Sequence, residues 1–368
     1  MMTGTWYEGL GLMSGSSLDG LDIAFCRFRI DPENTGIVLD WELGPAETVS
    51  LPDAWKQRLS RLPEGSARDL VQADADLGRY WGELCLQFME RHKCRPGFIA
   101  SHGHTLFHWP ERGVSTQIGS GAGLSALAGL PVVCDFRAAD VVLGGQGAPL
   151  APLADRYLFP GYDYYLNIGG IANISFEREG CWTAFDIGPA NQIFNALALE
   201  AGQDYDKGGE LAARGRVDQT LLEHVDALPY FSKAPPKSLD NGWVGREVWP
   251  YYADKRLPLS DRLCTAVEQL ARQTVRAIRS RGPEQIEKIR LFATGGGIYN
   301  TFLMDRIAAN LSEKMQAEMV IPEARVVEFK EALLMALMGA FRLAGVPNCM
   351  AEVTGAKRDS IGGAVYEP

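Results

Sequence analysis

The sequence lacks the long apolar runs of membrane proteins and the paired cysteines of disulfide-rich proteins. No apolar run reaches the roughly 18 residues that a helix needs to cross a bilayer. The seven cysteines of the 368-residue chain are scattered, and no C-x-x-C pair occurs. The stretch MMTGTWYEGL has no basic segment followed by an apolar one, so no signal peptide is expected. These absences predict a cytoplasmic protein with reduced thiols and no membrane partner.

Positive charge is also scarce. The chain has 36 lysines and arginines against 46 aspartates and glutamates, which gives a net charge of -10 at pH 7. Proteins that bind nucleic acid usually present a basic face, so we expect no nucleic-acid partner. Small anionic ligands remain compatible with this balance, because backbone N–H groups and one or two cations can hold them. Length alone predicts about two domains.

Two common nucleotide-binding fingerprints are missing. The P-loop pattern G-x-x-x-x-G-K-[ST] does not occur. GSGAGLS begins at Gly119 but has Leu124 where the dinucleotide pattern needs its third glycine, and TGGGIYN has Asn300 at that place. Nicotinamide chemistry is therefore disfavoured.

Alternating strand and helix patterns predict an α/β protein with two lobes. GLMSGSSLDGLDIAF (11–25) and YLNIGGIANISFE (165–177) both have the pattern of a strand, a turn of small residues and a second strand. Each could open one lobe, with the boundary near LFPGYD. We therefore expect an N-terminal lobe over 1–158, a C-terminal lobe over 159–368, and a ligand cleft between them.

The first of these turns has the composition of a phosphate-binding loop. Gly15 and Gly20 can take positive φ and let a ligand approach the backbone closely. Successive N–H groups can form a nest for an anion, and Ser16 and Ser17 add hydroxyl donors. Asp19 can meet a phosphate through Mg²⁺. A plain hairpin with surface serines explains the same residues.

Eight short motifs follow one another along almost the whole chain, from residue 11 to about 356. They are GLMSGSSLDGLD, SHGHTLFHWP, VCDFRAADVVLGGQGAP, LNIGGIANIS, FDIGPANQ, PPKS, TGGGIYN and VTGA. Together they resemble the anhydro-N-acetylmuramic acid kinases, which belong to the sugar kinase, heat-shock ATPase and actin superfamily. The resemblance implies two RNase H-like lobes of the sugar kinase/actin type, with ATP and Mg²⁺ in the cleft, and usually a homodimer.

The resemblance also implies an unusual phosphotransferase reaction on a small amino sugar. Water opens the 1,6-anhydro ring of anhydro-N-acetylmuramic acid, and O6 receives the phosphoryl group of ATP in the same turnover. The product would be N-acetylmuramic acid 6-phosphate, in cell-wall (peptidoglycan) recycling.

Asp186 is the predicted catalytic residue. It follows the apolar strand WTAF and precedes a Gly-Pro turn, so its carboxylate should face the cleft rather than the core. With the usual pKa of about 3.9 it would be ionised at pH 7 and able to accept a proton. O6 of an anhydro sugar carries no proton, so Asp186 would take one from the attacking water. A helix N-cap is the structural alternative.

The remaining roles follow from the resemblance, residue by residue. Asp19 would approach the metal, Lys237 a phosphate, and the glycines of TGGGIYN the adenosine; a solvated lysine explains Lys237 equally well. The nucleotide-binding set is Gly15, Ser16, Ser17, Asp19, Gly20, Gly169, Gly170, Asn173, Lys237, Gly295, Gly296 and Gly297. The sugar-binding set is His104, Arg137, Asn191 and Glu331. Arg137 could instead pair with Asp135 or Asp140, and Glu331 could be a surface residue.

Several positions depart from the commoner family motifs, including Ser16 in place of a threonine and LDNGWVGRE in place of TGRE after PPKS. His104 replaces a glutamine, and Ile187 and Ala190 replace a threonine and a glycine of the catalytic loop. These departures bear on the sugar contacts and on nucleotide affinity rather than on the reaction class.

Two other functions remain open. An actin-like nucleotide-binding regulatory protein without transfer activity would have no need of the carboxylate of Asp186. A zinc hydrolase could use His102, His104 and His108, since H-x-H on a strand puts both rings on one face. No H-E-x-x-H motif accompanies these histidines.

Overall fold

The computed structural model divides into two compact units. Unit 1 comprises residues 1–160 and 329–368, and unit 2 comprises residues 161–328. Strands and helices are mixed in both units, so the predicted α/β class is confirmed. The residues that the structure describes are 4–15, 18–31, 37–235, 237–239, 241–279, 288–312 and 316–368.

Residues 329–368 lie in unit 1, whereas we expected them in the second lobe with the rest of 159–368. Residues 364–366 form a strand that pairs antiparallel with residues 132–134. Arg342 Nε also donates to the Gly363 carbonyl at 2.7 Å within this segment. A pairing between strands so distant in the chain leaves no mark on local sequence periodicity, and for that reason the pattern of residues missed it.

The strands have the following bounds: β1 (Thr5–Ser14), β2 (Gly20–Ile30), β3 (Val38–Ser50), β4 (Phe98–Trp109), β5 (Val114–Ile118), β6 (Val132–Cys134), β7 (Tyr164–Ile168), β8 (Ile171–Arg178), β9 (Cys181–Pro189), β10 (Lys288–Thr294), β11 (Gln316–Val320) and β12 (Ala364–Tyr366). The segment SHGHTLFHWP belongs to β4 as far as Trp109, because β5 pairs with it.

The two sheets repeat one strand arrangement. In unit 1 the order is β12-β6-β4-β1-β2-β3, with β5 paired to β4; in unit 2 it is β11-β10-β7-β8-β9. Each sheet has an antiparallel meander, β1-β2-β3 or β7-β8-β9. A strand parallel to the first member follows on its other side, β4 or β10. This is the strand order of an RNase H-like lobe, and β1–β2 and β7–β8 are the two predicted hairpins.

The α-helices have the following bounds: α1 (Asp53–Arg61), α2 (Ala67–His92), α3 (Gly121–Ala128), α4 (Ala138–Val142), α5 (Ala151–Leu158), α6 (Asn191–Leu199), α7 (Glu210–Ala213), α8 (Gln219–Asp226), α9 (Pro229–Ser232), α10 (Asn241–Trp243), α11 (Trp249–Tyr252), α12 (Leu259–Arg279), α13 (Thr301–Ser312), α14 (Ala324–Ala344) and α15 (Ala351–Thr354). No helix of the described residues is long and apolar enough to span a bilayer.

Helix α2 shows how local sequence sets an element boundary. Ser66 Oγ accepts the backbone N–H of Asp69 at 3.2 Å, and the Asp69 carboxylate accepts the N–H of Ser66 at 3.0 Å. This capping box satisfies two backbone donors that have no partner inside the helix. The inner face of α2 then buries Leu77 and Trp81 against Leu10 of β1 and neighbouring strand residues.

Gly11 of β1 allows α14 to pack on the sheet of unit 1. A Cβ at Gly11 would overlap the carbonyl of Ala332 and would lie 3.0 Å from the backbone nitrogen of Ala336. Both obstacles are helix backbone, which cannot rotate away as a side chain can. The contact between strand and helix therefore requires a residue without a side chain.

We expect Gly11→Ala to lower the free energy of unfolding of the protein by about 1–3 kcal/mol, the usual cost of forcing atoms into a packed core. Urea unfolding of the full chain measures this. Gly97→Ala is the matched control in the same unit, because its Cβ would meet nothing closer than the Glu8 carbonyl at 3.5 Å. Equal stability of the two variants would contradict the packing argument.

Candidate active site

The turn between β7 and β8 is bound to the beginning of α6. The Gly170 carbonyl accepts the N–H groups of Ala190 at 2.8 Å and Gln192 at 3.1 Å, and the Gly169 carbonyl accepts that of Asn191 at 3.2 Å. A Cβ at Gly169 or Gly170 would meet no atom closer than 3.5 Å. Steric crowding within the protein therefore does not explain why these two positions are glycine.

Asp186 lies in β9, opposite Asn173 of β8, next to a register shift in the pairing. Its carboxylate accepts the N–H of Leu239 at 2.8 Å. Its own N–H donates to the Lys237 carbonyl at 3.2 Å, and its carbonyl accepts the Tyr230 hydroxyl at 2.7 Å. The N-cap of α6 is Ala190, so the alternative of Asp186 as the helix cap is wrong.

Burial raises the pKa of Asp186 to about 6, and the N–H of Leu239 opposes this rise. The side chain is half-buried, so its carboxylate keeps access from outside the core. A carboxylate with this pKa is a stronger base than an ordinary aspartate and is still mostly ionised at neutral pH. The carboxylate of Asp186 is thus both accessible to a small molecule and more basic than an ordinary aspartate, which are the two properties that a general base needs.

Lys237 lies in a different environment from the one we predicted. Its ammonium donates to the Tyr230 carbonyl at 3.3 Å and lies 4.7 Å from the centre of the Tyr230 ring. It lines a cavity with Phe185 and Ile187, the two neighbours of Asp186 in β9, and Asp186 does not line that cavity. The role of Lys237 at a nucleotide phosphate stays a prediction without support from these contacts.

Close packing against neighbouring protein atoms accounts for most of the glycine run after β10. A Cβ at Gly295 would lie 2.7 Å from the Ile168 carbonyl, and one at Gly297 would lie 2.8 Å from the Ile168 Cβ. The family resemblance implied adenosine beside all three glycines of TGGGIYN. For Gly295 and Gly297 the close neighbour is β7 instead, and only Gly296 has open space, with Asn191 Nδ2 at 4.0 Å.

Gly296 borders a cavity of about 550 Å³ in unit 2. Asn191, whose amide also donates to the Ile168 carbonyl at 3.4 Å, lines the same cavity. The aromatic and cationic part of the lining consists of Phe194, Tyr205, Lys207 and Tyr299. The structure therefore groups Asn191, predicted for the sugar, with Gly296, predicted for adenosine.

In unit 1 the predicted phosphate turn connects β1 to β2. Asp19 is exposed there, and the Leu18 N–H donates to the Gly15 carbonyl at 3.3 Å. Gly20 does not have the positive φ that we expected, and a Cβ there would lie 2.7 Å from the Val49 carbonyl. The neighbouring strand β3 requires this glycine. Ser16 and Ser17 lie outside the described residues.

The sequence predicted no role for Asp22, although it is the second aspartate of SLDGLD. Burial raises its pKa, the Thr48 hydroxyl at 2.6 Å opposes the rise, and Asp19 adds to it. Glu331 of α14 is exposed. Desolvation by the surrounding protein atoms, and then the charge of Asp22, raise the pKa of its carboxyl group. These acids affect one another, yet no group of three possible metal ligands exists among the described residues.

Arg137 is held by two neutral acceptors. Its Nε and Nη2 point at His102 Nε2, at 3.1 and 2.9 Å, and its Nη1 donates to the Gly147 carbonyl at 2.6 Å. A guanidinium has five N–H donors, so one donor on each terminal nitrogen is left over. Two such donors side by side form the pair that binds a carboxylate.

The competing partners of Arg137 are engaged elsewhere or lie outside ion-pair distance. Asp140 accepts the Gly147 N–H and the Thr354 hydroxyl, each at 2.7 Å. Among the salt bridges of the described residues, none joins Arg137 to Asp135 or Asp140. Burial lowers the pKa of Arg137 to about 10, which keeps its positive charge at neutral pH.

The three histidines of β4 do not form a metal centre. His102 Nδ1 faces the Gly103 carbonyl at 2.9 Å while its Nε2 accepts from Arg137, which together define one neutral tautomer. Burial and then Arg137 lower the pKa of His102 to about 3. His104 Nδ1 lies 3.2 Å from Ser14 Oγ, and His108 Nδ1 lies 3.0 Å from Ser115 Oγ. The zinc hydrolase therefore has no support in the described part of the chain.

Two α/β units with this repeated strand order define a protein of the sugar kinase and actin-like class. Comparison with known proteins narrows the class. The family model described as "Anhydro-N-acetylmuramic acid kinase" matches residues 7–368. The chain belongs to the anhydro-N-acetylmuramic acid kinase family.

Individual relatives carry the same description. The chain is 34% identical to the anhydro-N-acetylmuramic acid kinase of Gloeobacter violaceus, over 95% of this chain and 96% of that protein. It is 35% identical to that of Methylorubrum extorquens, over 98% of this chain and 99% of that protein. For that of Pseudomonas fluorescens the identity is 32%, over 97% and 98%.

We expect Gly297→Ala to destabilise unit 2, by about 1–3 kcal/mol, because its Cβ would overlap Ile168. Gly296→Ala should keep the stability of the wild type, because its Cβ enters open space at the cavity. Thermal unfolding measures the first effect, and titration with ADP shows whether Gly296→Ala alone weakens binding. A destabilised Gly296→Ala would contradict the assignment of the two glycines.

Proposed function

We propose that this protein is an ATP-dependent kinase of anhydro-N-acetylmuramic acid, which opens the 1,6-anhydro ring with water and yields N-acetylmuramic acid 6-phosphate. The observation that carries this proposal is Asp186, a half-buried carboxylate with a pKa of about 6 in strand β9 of a chain of this family. The alternative of a regulatory protein without transfer activity is not supported, since the relatives are named as kinases.

The proposed reaction assigns each bond to one event. The oxygen of a water molecule attacks C1 of the sugar, and the bond between C1 and O6 breaks. O6 then attacks the γ-phosphorus of ATP, and ADP leaves. The proton of the attacking water goes to the Asp186 carboxylate, which the Leu239 N–H holds in place at 2.8 Å. Asp186 therefore acts on water in this mechanism, because O6 of the anhydro sugar carries no proton.

The nucleotide and its metal have matching residues. Gly169 and Gly170 have room that packing does not fill, and Gly296 opens onto the cavity of about 550 Å³. We place the phosphates at the first pair and the nucleoside at Gly296, with Asn173 in the adjoining strand. Asp19 is exposed and offers only oxygen atoms, the donor type that Mg²⁺ prefers. When bound, Mg²⁺ would neutralise phosphate charge during transfer.

The sugar carries a carboxylate on its lactyl group, and Arg137 suits it. The guanidinium has no carboxylate partner among the salt bridges of the described residues, and it retains one donor on each terminal nitrogen. We assign the lactyl carboxylate to this pair of donors. His104 and Glu331 are proposed for the sugar hydroxyls. The cytoplasmic location and the homodimer stay predictions.

We expect Asp186→Asn to fold and to bind ADP but to lose about 10²–10⁴-fold in kcat, which is the usual contribution of a general base. Asparagine keeps an acceptor for the Leu239 N–H but cannot take a proton at neutral pH. In the wild type, kcat should fall as the pH drops below about 6, because the carboxylate becomes protonated. Steady-state kinetics over pH 5–8 measures both effects.

The exposed Asp305→Asn is the matched control and should keep normal kcat. Turnover in H₂¹⁸O tests the route of the water: the label should enter the product at C1 and not at O6. Near-normal turnover of Asp186→Asn, or label at O6, contradicts the mechanism. Absence of any phosphosugar from the wild type with ATP contradicts the function itself.

His102 should act as a positioning residue for Arg137. His102→Phe removes the acceptor of two guanidinium N–H groups, so we expect the KM for the sugar to rise at least tenfold with little change in kcat. His102→Gln, which still offers an acceptor oxygen, should recover part of the affinity. Kinetics with 1,6-anhydro-N-acetylglucosamine, which lacks the lactyl group, should show no such difference between the variants.

A double-mutant cycle checks that both residues act at one place. Arg137→Lys loses the paired donors, so His102→Phe added to it should weaken binding no further. Independent, additive losses, or equal losses with both sugars, would mean that His102 supports the structure in general rather than Arg137.

A further inference from the structure

A second cavity of unit 2 lies beside β9 and has a cationic rim. Its volume is about 280 Å³, and Phe185, Ile187 and Phe231 supply its apolar surface. Lys233 and Arg276 line it together with Lys237. It shares no lining residue with the cavity around Gly296, so it is a separate site of the same unit.

The three cations have no carboxylate partner in the part of the chain that the structure describes. The salt bridges there include none of Lys233, Lys237 and Arg276. Asp226 accepts from the amides of Gln269 and of the lining residue Gln273 on Oδ1, at 3.2 and 2.8 Å, and forms no salt bridge with the three cations in the described part of the chain. Burial, then Arg276 and Lys233, lower the pKa of Lys237, so the fields of the three cations overlap.

We propose that this cavity binds a phosphate dianion, either as inorganic phosphate or as the phosphate group of a phosphomonoester, and that this binding is coupled to Asp186. A phosphate group carries a charge of about −1.5 to −2 at pH 7, which balances most of the positive charge of the rim. Arginine can bind two of its oxygens at once, and lysine acts as a point charge. The apolar surface of Phe185, Ile187 and Phe231 suits the carbon part of a monoester, so we expect a monoester to bind more tightly than inorganic phosphate.

The coupling follows from the segment that carries the lysines. Lys237 accepts the Asp186 N–H through its carbonyl, and Leu239 donates its N–H to the Asp186 carboxylate. Tyr230, whose carbonyl binds the Lys237 ammonium, donates its hydroxyl to the Asp186 carbonyl. An anion that joins Lys233 and Lys237 removes their repulsion and holds this segment in the conformation that bonds Asp186. A ligand can shift an equilibrium only by such a difference in affinity between two conformations.

The proposal goes beyond the kinase reaction, and its first test needs no turnover. Isothermal titration of the full chain, saturated with ADP to occupy the nucleotide site, uses inorganic phosphate, glucose 6-phosphate and glucose as probes at constant ionic strength. We expect saturable binding of one glucose 6-phosphate, weaker binding of phosphate, and none of glucose. The double variant Lys233→Gln/Arg276→Gln should lose at least tenfold in affinity for both anions.

The matched control removes two positive charges from the other unit. Lys56→Gln/Arg68→Gln alters the first helices of unit 1 and should bind both anions as the wild type does, which separates a local site from a general effect of net charge. Lys233 and Arg276 are exposed, so their variants should fold and should keep basal turnover. Equal affinity of the wild type and Lys233→Gln/Arg276→Gln, or no saturable binding to the wild type, would overturn the site.

A second measurement tests the coupling. With the site filled by glucose 6-phosphate at pH 6, where about half of Asp186 is ionised, kcat of the wild type and of the control should rise by up to about twofold, because a firmer bond from the Leu239 N–H favours the ionised carboxylate. Lys233→Gln/Arg276→Gln should show no rise. Unchanged kcat in the wild type at saturating glucose 6-phosphate would overturn the coupling while leaving the binding result intact.

Discussion

The hydrogen bond from the N–H group of Leu239 to the carboxylate of Asp186 is the interaction on which the proposed base of unit 2 depends. Burial alone would favour the protonated carboxyl, and this one hydrogen bond opposes it. The balance leaves a pKa of about 6, high enough for a useful base and low enough for ionisation at neutral pH. Lys233 and Lys237, which line the cationic cavity beside β9, lie in the same stretch of chain as Tyr230 and Leu239, which bond Asp186. On that connection we base the proposal that an anion in this cavity affects Asp186.

Glycine contributes to this protein in two distinct ways. Gly11, Gly20 and Gly297 bring strands, helices and turns closer than any side chain would permit. Gly169 and Gly296 have open space beside their backbone, so close packing does not account for them. The first group stabilises the units, and the second group leaves backbone accessible for a ligand. The sequence alone does not distinguish the closely packed glycines from the open ones, because both kinds occur in one motif, TGGGIYN.

Four cations at the proposed anion sites have no salt bridge in the described part of this acidic chain: Arg137 in unit 1, and Lys233, Lys237 and Arg276 in unit 2. Arg137 in unit 1 is held by His102 and the Gly147 carbonyl, both neutral. In unit 2 the three cations of the second cavity share an apolar surface. Burial lowers the pKa of Arg137, which has no salt bridge among the described residues, although the charges of Glu331 and Asp140 act to raise that pKa. A cation that is held mainly by neutral groups is typical of sites that receive an anion. We propose different anions for the two places: a carboxylate at the two remaining donors of Arg137, and a phosphate dianion at the three cations of the second cavity.

The sequence by itself determined the class of fold, the family and the position of the catalytic candidate. Alternating patterns and the repeated hairpins predicted two α/β lobes, since periodicity and turn residues are local properties of a chain. Order along the chain identified the family, because eight motifs in sequence are specific where one is not. Asp186 was singled out by a local pattern, a carboxylate after WTAF and before Gly-Pro. The structure corrects its position, because β9 continues to Pro189 and Asp186 lies within the strand rather than at its end.

Tertiary structure decided what depends on residues distant in sequence. It placed residues 329–368 in unit 1 through the pairing of β12 with β6, and it put Asn191 beside Gly296. It also directed the Lys237 ammonium to the Tyr230 carbonyl, with no salt bridge to Asp186 among the described residues. It also decided that His102 is neutral and holds Arg137, and that burial sets the pKa of Asp186. Desolvation and hydrogen bonding depend on the atoms that surround a group in space. A sequence specifies those atoms only through the complete fold, so no motif could have revealed them.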